Sequence, residues 1–181
     1  LTGFMEAVIT SSPADNGLYF PEQIEPLNAK VLDHFRDMSL PALGFEMMKP
    51  FVTDIPEARL KSIMEEVLSF DIPLKQVEED IYTLELFHGP TYAFKDVGAR
   101  FLARCLGYFS EGKTEEVTIL VATSGDTGGA VANGFYGVPG VKVVILYPSG
   151  KVSELQEKQL TTLRGNISAL EVDGDFDDCQ A

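Results

Sequence analysis

One lysine stands where chemistry could be done. The stretch His88-Gly89-Pro90-Thr91-Tyr92-Ala93-Phe94-Lys95-Asp96 is entered by an apolar, strand-like run, Tyr82 to Phe87. It is left by a helical pattern of Val97, Phe101, Leu102, Cys105, Leu106 and Phe109. Lys95 therefore falls at a strand-to-helix junction, between Phe94 and the aliphatic start of the helix. Apolar surroundings remove part of the hydration that favours an ammonium form. An amine so placed is a usable nucleophile near neutral pH, as a Schiff-base lysine requires. The same residue types also fit a lysine that lays its stem on apolar surface and pairs with Asp96. Residue types alone leave both readings open.

A second stretch could hold an anion. Ser124-Gly125-Asp126-Thr127-Gly128-Gly129 lies between an apolar strand and a helix of small residues. Its glycines allow close backbone approach, and free N–H groups at a helix N-terminus favour negative charge. A tight strand-to-helix turn would use the same glycines. No Gly-Lys-Ser/Thr follows, and no Gly-x-Gly-x-x-Gly spacing is present, so neither a mononucleotide nor a dinucleotide loop is indicated.

Other polar residues have less specific readings. His88 precedes Gly-Pro and so belongs to a turn, as an acid–base group, a phosphate contact or a structural histidine. His34 falls on a helix surface. Asp96 could pair with Lys95 or Arg100, and is read first as a helix cap. Arg100 and Lys151 lie near strand ends, either solvated or meeting a phosphate.

The elements that must position these groups follow from periodicity and punctuation. Met5–Ile9 is weakly strand- or helix-like, and residues 11–17 are dense in turn formers. Helices are expected over roughly 27–37, 40–49 and 55–69, each beginning near a cap or an early proline. The third carries Leu60, Ile63, Met64, Val67 and Leu68 at the spacing of one buried face. Residues 71–81, with Pro73 and an acidic run, read as a linker. Strands are then expected near 82–87, 117–122, 142–147 and 167–172, with helices near 95–110, 127–137 and 152–164. That alternation predicts an α/β fold with a parallel sheet and right-handed crossovers, preceded by a helical subdomain. The domain expectation is 1–80 helical and 81–181 α/β.

Bulk properties narrow the class. The 181 residues are 45% hydrophobic and 23% charged, a globular balance, with formal net charge −14. Such a surface repels phosphodiester backbones and anionic bilayers, so neither nucleic acid nor membrane is expected as a partner. An anionic small molecule would need a locally organised site. Cys105 and Cys179 are too few for a disulfide framework or a zinc site. The longest apolar runs are strand-sized and no signal peptide opens the chain, so a cytoplasmic location is expected. The chain lacks an initiator methionine and stops in a helix capped by Asp173 or Asp175. It is therefore read as the N-terminal portion of a longer enzyme.

The whole string LFHGPTYAFKDVGARFLA resembles the cofactor-lysine segment of threonine synthases, pyridoxal-phosphate (PLP) enzymes of the tryptophan-synthase-β-like, fold-type-II superfamily. ATSGDTGGAVA (122–132) resembles their substrate loop. VKVVILYPSGKVSELQ (141–156) is similar to the strand and basic turn that follow, and Asn16–Pro21 to their opening signature. The resemblance runs from about residue 16 to the end. It implies that Lys95 carries PLP, with Phe94 beside it. It makes Thr123, Ser124, Gly125, Asp126 and Thr127 the cradle of the substrate. Many relatives place Asn where this chain has Asp126, against the PLP 3′-oxygen; a carboxylate there would repel a phenolate unless it shares a proton or turns away. The superfamily's phosphate loop and its partner for the pyridine nitrogen come from a C-terminal half that these residues do not include. Without that half, weak or absent PLP binding and no turnover are expected. The implied reaction converts O-phospho-L-homoserine, a phosphorylated amino acid, and water to L-threonine and phosphate. A related PLP phospholyase and a non-catalytic anion-binding module are the alternatives. Oligomeric state is not legible.

Overall fold

A computed structural model describes all of residues 1–181. The backbone divides into two compact units, Leu1–Ser69 and Phe70–Ala181.

The first unit is helical. The weakly patterned opening forms α1 (Phe4–Thr10). Gly3 offers no side chain to cap it, and Asp54 does so instead, accepting from the Met5 amide at 2.7 Å. Helix α2 (Ala29–His34) is capped by Asn28 and runs into a single 3-10 turn, Phe35–Asp37. His34 is exposed, its Nδ1 2.9 Å from the Lys30 carbonyl oxygen. Helix α3 (Leu40–Met48) starts at the Ser39 hydroxyl, with proline in its first turn. Helix α4 (Glu57–Val67) buries Leu60, Ile63, Met64 and Val67, the face expected from their spacing. Helices α3 and α4 approach closely at Gly44, where a Cβ would lie 2.6 Å from Met64 Cε and 2.7 Å from Leu68 Cδ1. The Asn16–Pro21 segment between α1 and α2 is non-helical, with Leu18 and Phe20 exposed.

The second unit opens on a departure from expectation. Residues 71–81 do not form a linker: they carry β1 (Leu74–Glu78), paired antiparallel with β2 (Ile81–Leu84). Glu79-Asp80 makes the turn, with Asp80 at φ 60°, a conformation Asp tolerates better than most residues. The strand expected at 82–87 thus belongs to this hairpin, not to the parallel sheet. Both strands are exposed on each face, so no burial rhythm marked β1 in the sequence.

The parallel sheet has three strands in the order β3 (Val117–Ala122), β4 (Val141–Pro148), β5 (Ile167–Val172). Val117 lies opposite Val141, and Val143 opposite Ile167. The central strand buries Val141, Val143, Ile145 and Tyr147, and α5 (Lys95–Ser110), α6 (Asp126–Phe135) and α8 (Phe176–Gln180) all reach it. Helix α7 (Glu154–Thr161) lies between α6 and β5. Cys105 is buried in α5, and burial pushes its thiol up to about 12, as befits a core residue rather than a nucleophile. Of the two expected caps, Asp173 and Asp175, it is Asp175 that caps α8, and the amides of Asp178 and Asp177 hold its carboxyl below the ordinary range. No helix is long and apolar enough to cross a membrane.

Helices α5 and α6 cross with almost no gap at Gly134. A Cβ there would lie 3.1 Å from the Ala99 carbonyl group and 3.2 Å from the Arg100 nitrogen, both backbone. Arg104 Nη1 donates to the Gly134 carbonyl oxygen at 3.0 Å across the same crossing. Gly134→Ala is expected to push the helices apart and cost about 1–3 kcal/mol, read as a lower urea midpoint with unchanged slope.

Candidate active site

The lysine sits on a loop wound more tightly than its sequence suggests. Lys95 is the first residue of α5 and is half-buried. Its Nζ lies 4.6 Å from the centroid of the exposed Phe94 ring, a cation–π contact. The N-cap of α5 is Phe94, and no side chain caps it. The expectation that Asp96 is that cap is therefore corrected. Asp96 is the second residue of the helix, only 1% exposed, and its carboxylate turns back into the loop. There Oδ2 accepts from the Thr91 amide at 2.9 Å and Oδ1 from the Thr91 hydroxyl at 2.6 Å. Tyr92, between them, is held at φ 61°, and its amide donates to the Gly89 carbonyl oxygen. Gly89 lies against Asp96 so closely that a Cβ would meet Oδ2 at 2.4 Å. The buried carboxylate thus folds residues 89–94 into one shape and delivers Lys95 from it.

His88 stands outside that knot. Its Nε2 is 2.7 Å from Glu85 Oε2, and its ring leans on Phe87 with centroids 4.8 Å apart. Lys151 is exposed and close enough to Asp175 to favour its charged form.

The second loop is shaped by Thr123. This residue is 1% exposed, and its Oγ1 accepts from the amides of both Gly125 (2.9 Å) and Gly128 (2.8 Å). It holds the loop from beneath; Ser124 and Asp126 are exposed and Thr127 half-buried. Gly125 is at φ 134°, which side chains rarely adopt, and starts α6. The first-turn amides of Asp126 and Thr127 have no acceptor within the helix by its geometry, an arrangement that favours negative charge at a helix start. Thr123→Val should remove the acceptor from two amides around a buried site, a loss of about 2–4 kcal/mol. Thr123→Ser, which keeps the oxygen, should lose much less; thermal unfolding of the two variants separates them.

The glycines serve packing as much as ligand approach. A Cβ at Gly128 would strike Thr123 Cγ2 at 2.5 Å and Leu160 Cδ2 at 2.9 Å. At Gly125 it would meet the Gln156 amide group at 2.4 Å, and at Gly129 the Gln159 Oε1 at 2.8 Å. Two glutamines of α7 therefore lie directly on the start of α6.

Those glutamines also connect the two loops. Gln156 Nε2 donates to Asp126 Oδ1 at 2.7 Å, and Gln159 Nε2 donates to the Thr91 carbonyl oxygen at 3.4 Å. Residues three apart on a helix are neighbours, with Cβ atoms about 5–6 Å apart. One face of α7 thus brings the lysine loop and the glycine loop together. The sequence offered one sign of this: Ser153-x-x-Gln156 is a capping box, and the structure forms it. Its outward reach to Asp126 was not legible.

A family model described as "Threonine synthase N terminus" matches residues 1–68, nearly the whole first compact unit. Threonine synthase of Escherichia coli (strain K12) is 46% identical over 179 residues, covering 98% of this chain and 41% of that protein. The crystal structure of the Escherichia coli enzyme superposes with a TM-score of 0.88 at 44% identity, over 99% of this chain and 42% of that one. A structure described as PLP-bound threonine synthase from Brucella melitensis gives a TM-score of 0.90 at 37% identity, over 98% of this chain and 40% of that one. The chain spans about two-fifths of the length of the relatives it matches.

Proposed function

We propose that this chain, whose sequence and fold match the N-terminal part of the threonine synthase family, serves in a PLP-dependent carbon–oxygen lyase. That enzyme converts O-phospho-L-homoserine and water to L-threonine and phosphate. The observation that carries the reading is the loop around Lys95, locked by a buried carboxylate and tied through α7 to an anion-favouring helix start.

The residues present suit the cofactor. Lys95 offers one half-buried amine with an aromatic ring beside it, and the start of α6 offers backbone donors. Asp126, whose charge would repel a phenolate oxygen, has one carboxylate oxygen engaged by Gln156. Lys95 would hold the cofactor through its amine, with Phe94 and Asp126 near it. Bound PLP supplies an electron sink for carbanions at the α and β carbons of the amino acid.

The chain's own residues do the rest. Ser124, Gly125, Thr127 and the first-turn amides of α6 would hold the substrate carboxylate, fixing which carbon faces the lysine. Thr123 keeps that cradle in shape from below. The Lys95 amine would move protons at the substrate carbons beside it. Over the whole reaction the substrate would lose phosphate from its γ carbon and gain water at its β carbon.

The test is direct. The full-length protein is loaded with PLP, reduced with borohydride and mapped by peptide mass, with a pyridoxyl group expected on Lys95. No label, or label scattered over surface lysines, overturns the assignment. Phosphohomoserine should then yield threonine; a keto acid instead would make the protein a phospholyase.

A further inference from the structure

The contact between α7 and Asp126 has a geometry that helix capping does not require. In the capping box, Gln156 Oε1 accepts from the Ser153 amide at 3.1 Å and the Ser153 hydroxyl at 2.9 Å. Those bonds fix the carboxamide plane and leave its Nε2 pointing outward. Nε2 then meets Asp126 Oδ1 at 2.7 Å, thirty residues away in sequence. The amide also lies flat on Gly125, which has no Cβ to hold it off. Both ends of the side chain and one of its faces are thus engaged. Gln159, on the next position of the same face, covers Gly129 and reaches the Thr91 carbonyl oxygen. Helix α7 is oriented toward both loops at once.

We propose that Gln156 is a positioning residue that holds the Asp126 carboxylate turned toward α7, keeping its negative charge from the anion-binding mouth of the Ser124–Thr127 loop. This rests on the functional reading given above. The physical need is plain. The first turn of α6 attracts an anion through its amides, yet carries a carboxylate on its first residue. A carboxylate free to rotate would compete for those amides and repel an incoming carboxylate or phosphate. A charge-assisted bond from a carboxamide already fixed at its other end prevents both.

A capping role and a positioning role make different demands on the side chain. Glutamate is as good as glutamine at this position of a capping box. Gln156→Glu therefore keeps the cap but replaces the donor with a second carboxylate beside Asp126. Gln156→Met keeps the approximate length and loses both the donor to Asp126 and the capping acceptor, without adding charge. The experiment uses full-length holoenzyme, with inorganic phosphate and phosphohomoserine as probes. For Gln156→Met, the phosphate Kd and the KM for phosphohomoserine are expected to rise roughly tenfold, with kcat changed much less. Gln156→Glu should be worse, although its thermal midpoint stays near that of the parent. Adding Asp126→Asn to Gln156→Met should restore most of the lost affinity, because the released group no longer carries charge. In the unligated holoenzyme, the visible absorption band of the cofactor should shift in Gln156→Met and return in the double variant.

Rescue by Asp126→Asn together with a stable but weak-binding Gln156→Glu supports the proposal. Parent-like affinity in Gln156→Glu, or no rescue in the double variant, overturns it while the functional reading stands. Absence of pyridoxyl label on Lys95 in the parent overturns that reading, and this inference with it.

Discussion

Lys95→Ala in the full-length protein is expected to lower turnover on the order of 10³-fold, the range of a lost proton-transfer group. The same variant should change stability by less than about 1 kcal/mol. The reasoning separates the lysine's chemistry from its surroundings. The loop is held by Asp96, Thr91 and Gly89, none of which needs the amine. The contact with Phe94 is made by an exposed ring and adds little. Steady-state assay with phosphohomoserine and urea unfolding read the two expectations independently. A variant that unfolds along with its loss of activity would mean that Lys95 supports the loop. A stable variant with parent-like turnover would remove the lysine from the chemistry. Stable and inactive is the expected result.

The second large effect is expected at a residue that does no chemistry. Gly89→Ala would set a Cβ 2.4 Å from Oδ2 and 2.9 Å from Cβ of Asp96, a side chain only 1% exposed. Neither group has room to move, because the same carboxylate accepts from the Thr91 amide and hydroxyl. Accommodation must break those bonds or shift the start of α5. The expected cost is about 2–4 kcal/mol, combining overpacking with the loss of bonds to a buried charge. Activity should fall even where the protein remains folded, since the loop delivers the lysine. Urea unfolding measures the first effect. Borohydride labelling of Lys95 in the folded fraction measures the second, and an unimpaired label would show that the loop tolerates the distortion.

The contrast between these two residues bears on what a sequence can disclose. The sheet was legible because β3, β4 and β5 are apolar runs between helices of ordinary length, and the central strand β4 buries Val141, Val143, Ile145 and Tyr147. Residues 117–122 and 167–172 match their strands, and a cap at Asp173 or Asp175 was visible as a local pattern, which the structure resolves to Asp175. The hairpin was not legible, because β1 is exposed throughout and its charges resemble a linker. The lysine and the glycine loop stood out by composition and resemblance. Their supports did not: Asp96 was misread as a local cap, since nothing in sequence tells a carboxylate that caps its own helix from one that turns back five residues. Thr123 was read as lining the loop and lies beneath it. Gln156 and Gln159 act across long sequence separations, which periodicity cannot register.

Each pairing in the parallel sheet joins positions equally far apart along the chain, Val117 to Val141 and Val143 to Ile167. Strand β4 finds both partners in the segments immediately before and after it, with one helix in each gap. The sheet can therefore assemble by two short loop closures of similar entropic cost, without waiting for a distant segment. During synthesis, β3 and β4 could pair as soon as β4 has left the ribosome. The glycine loop would then form between its own two strands, so this turn would take shape early in the life of the chain.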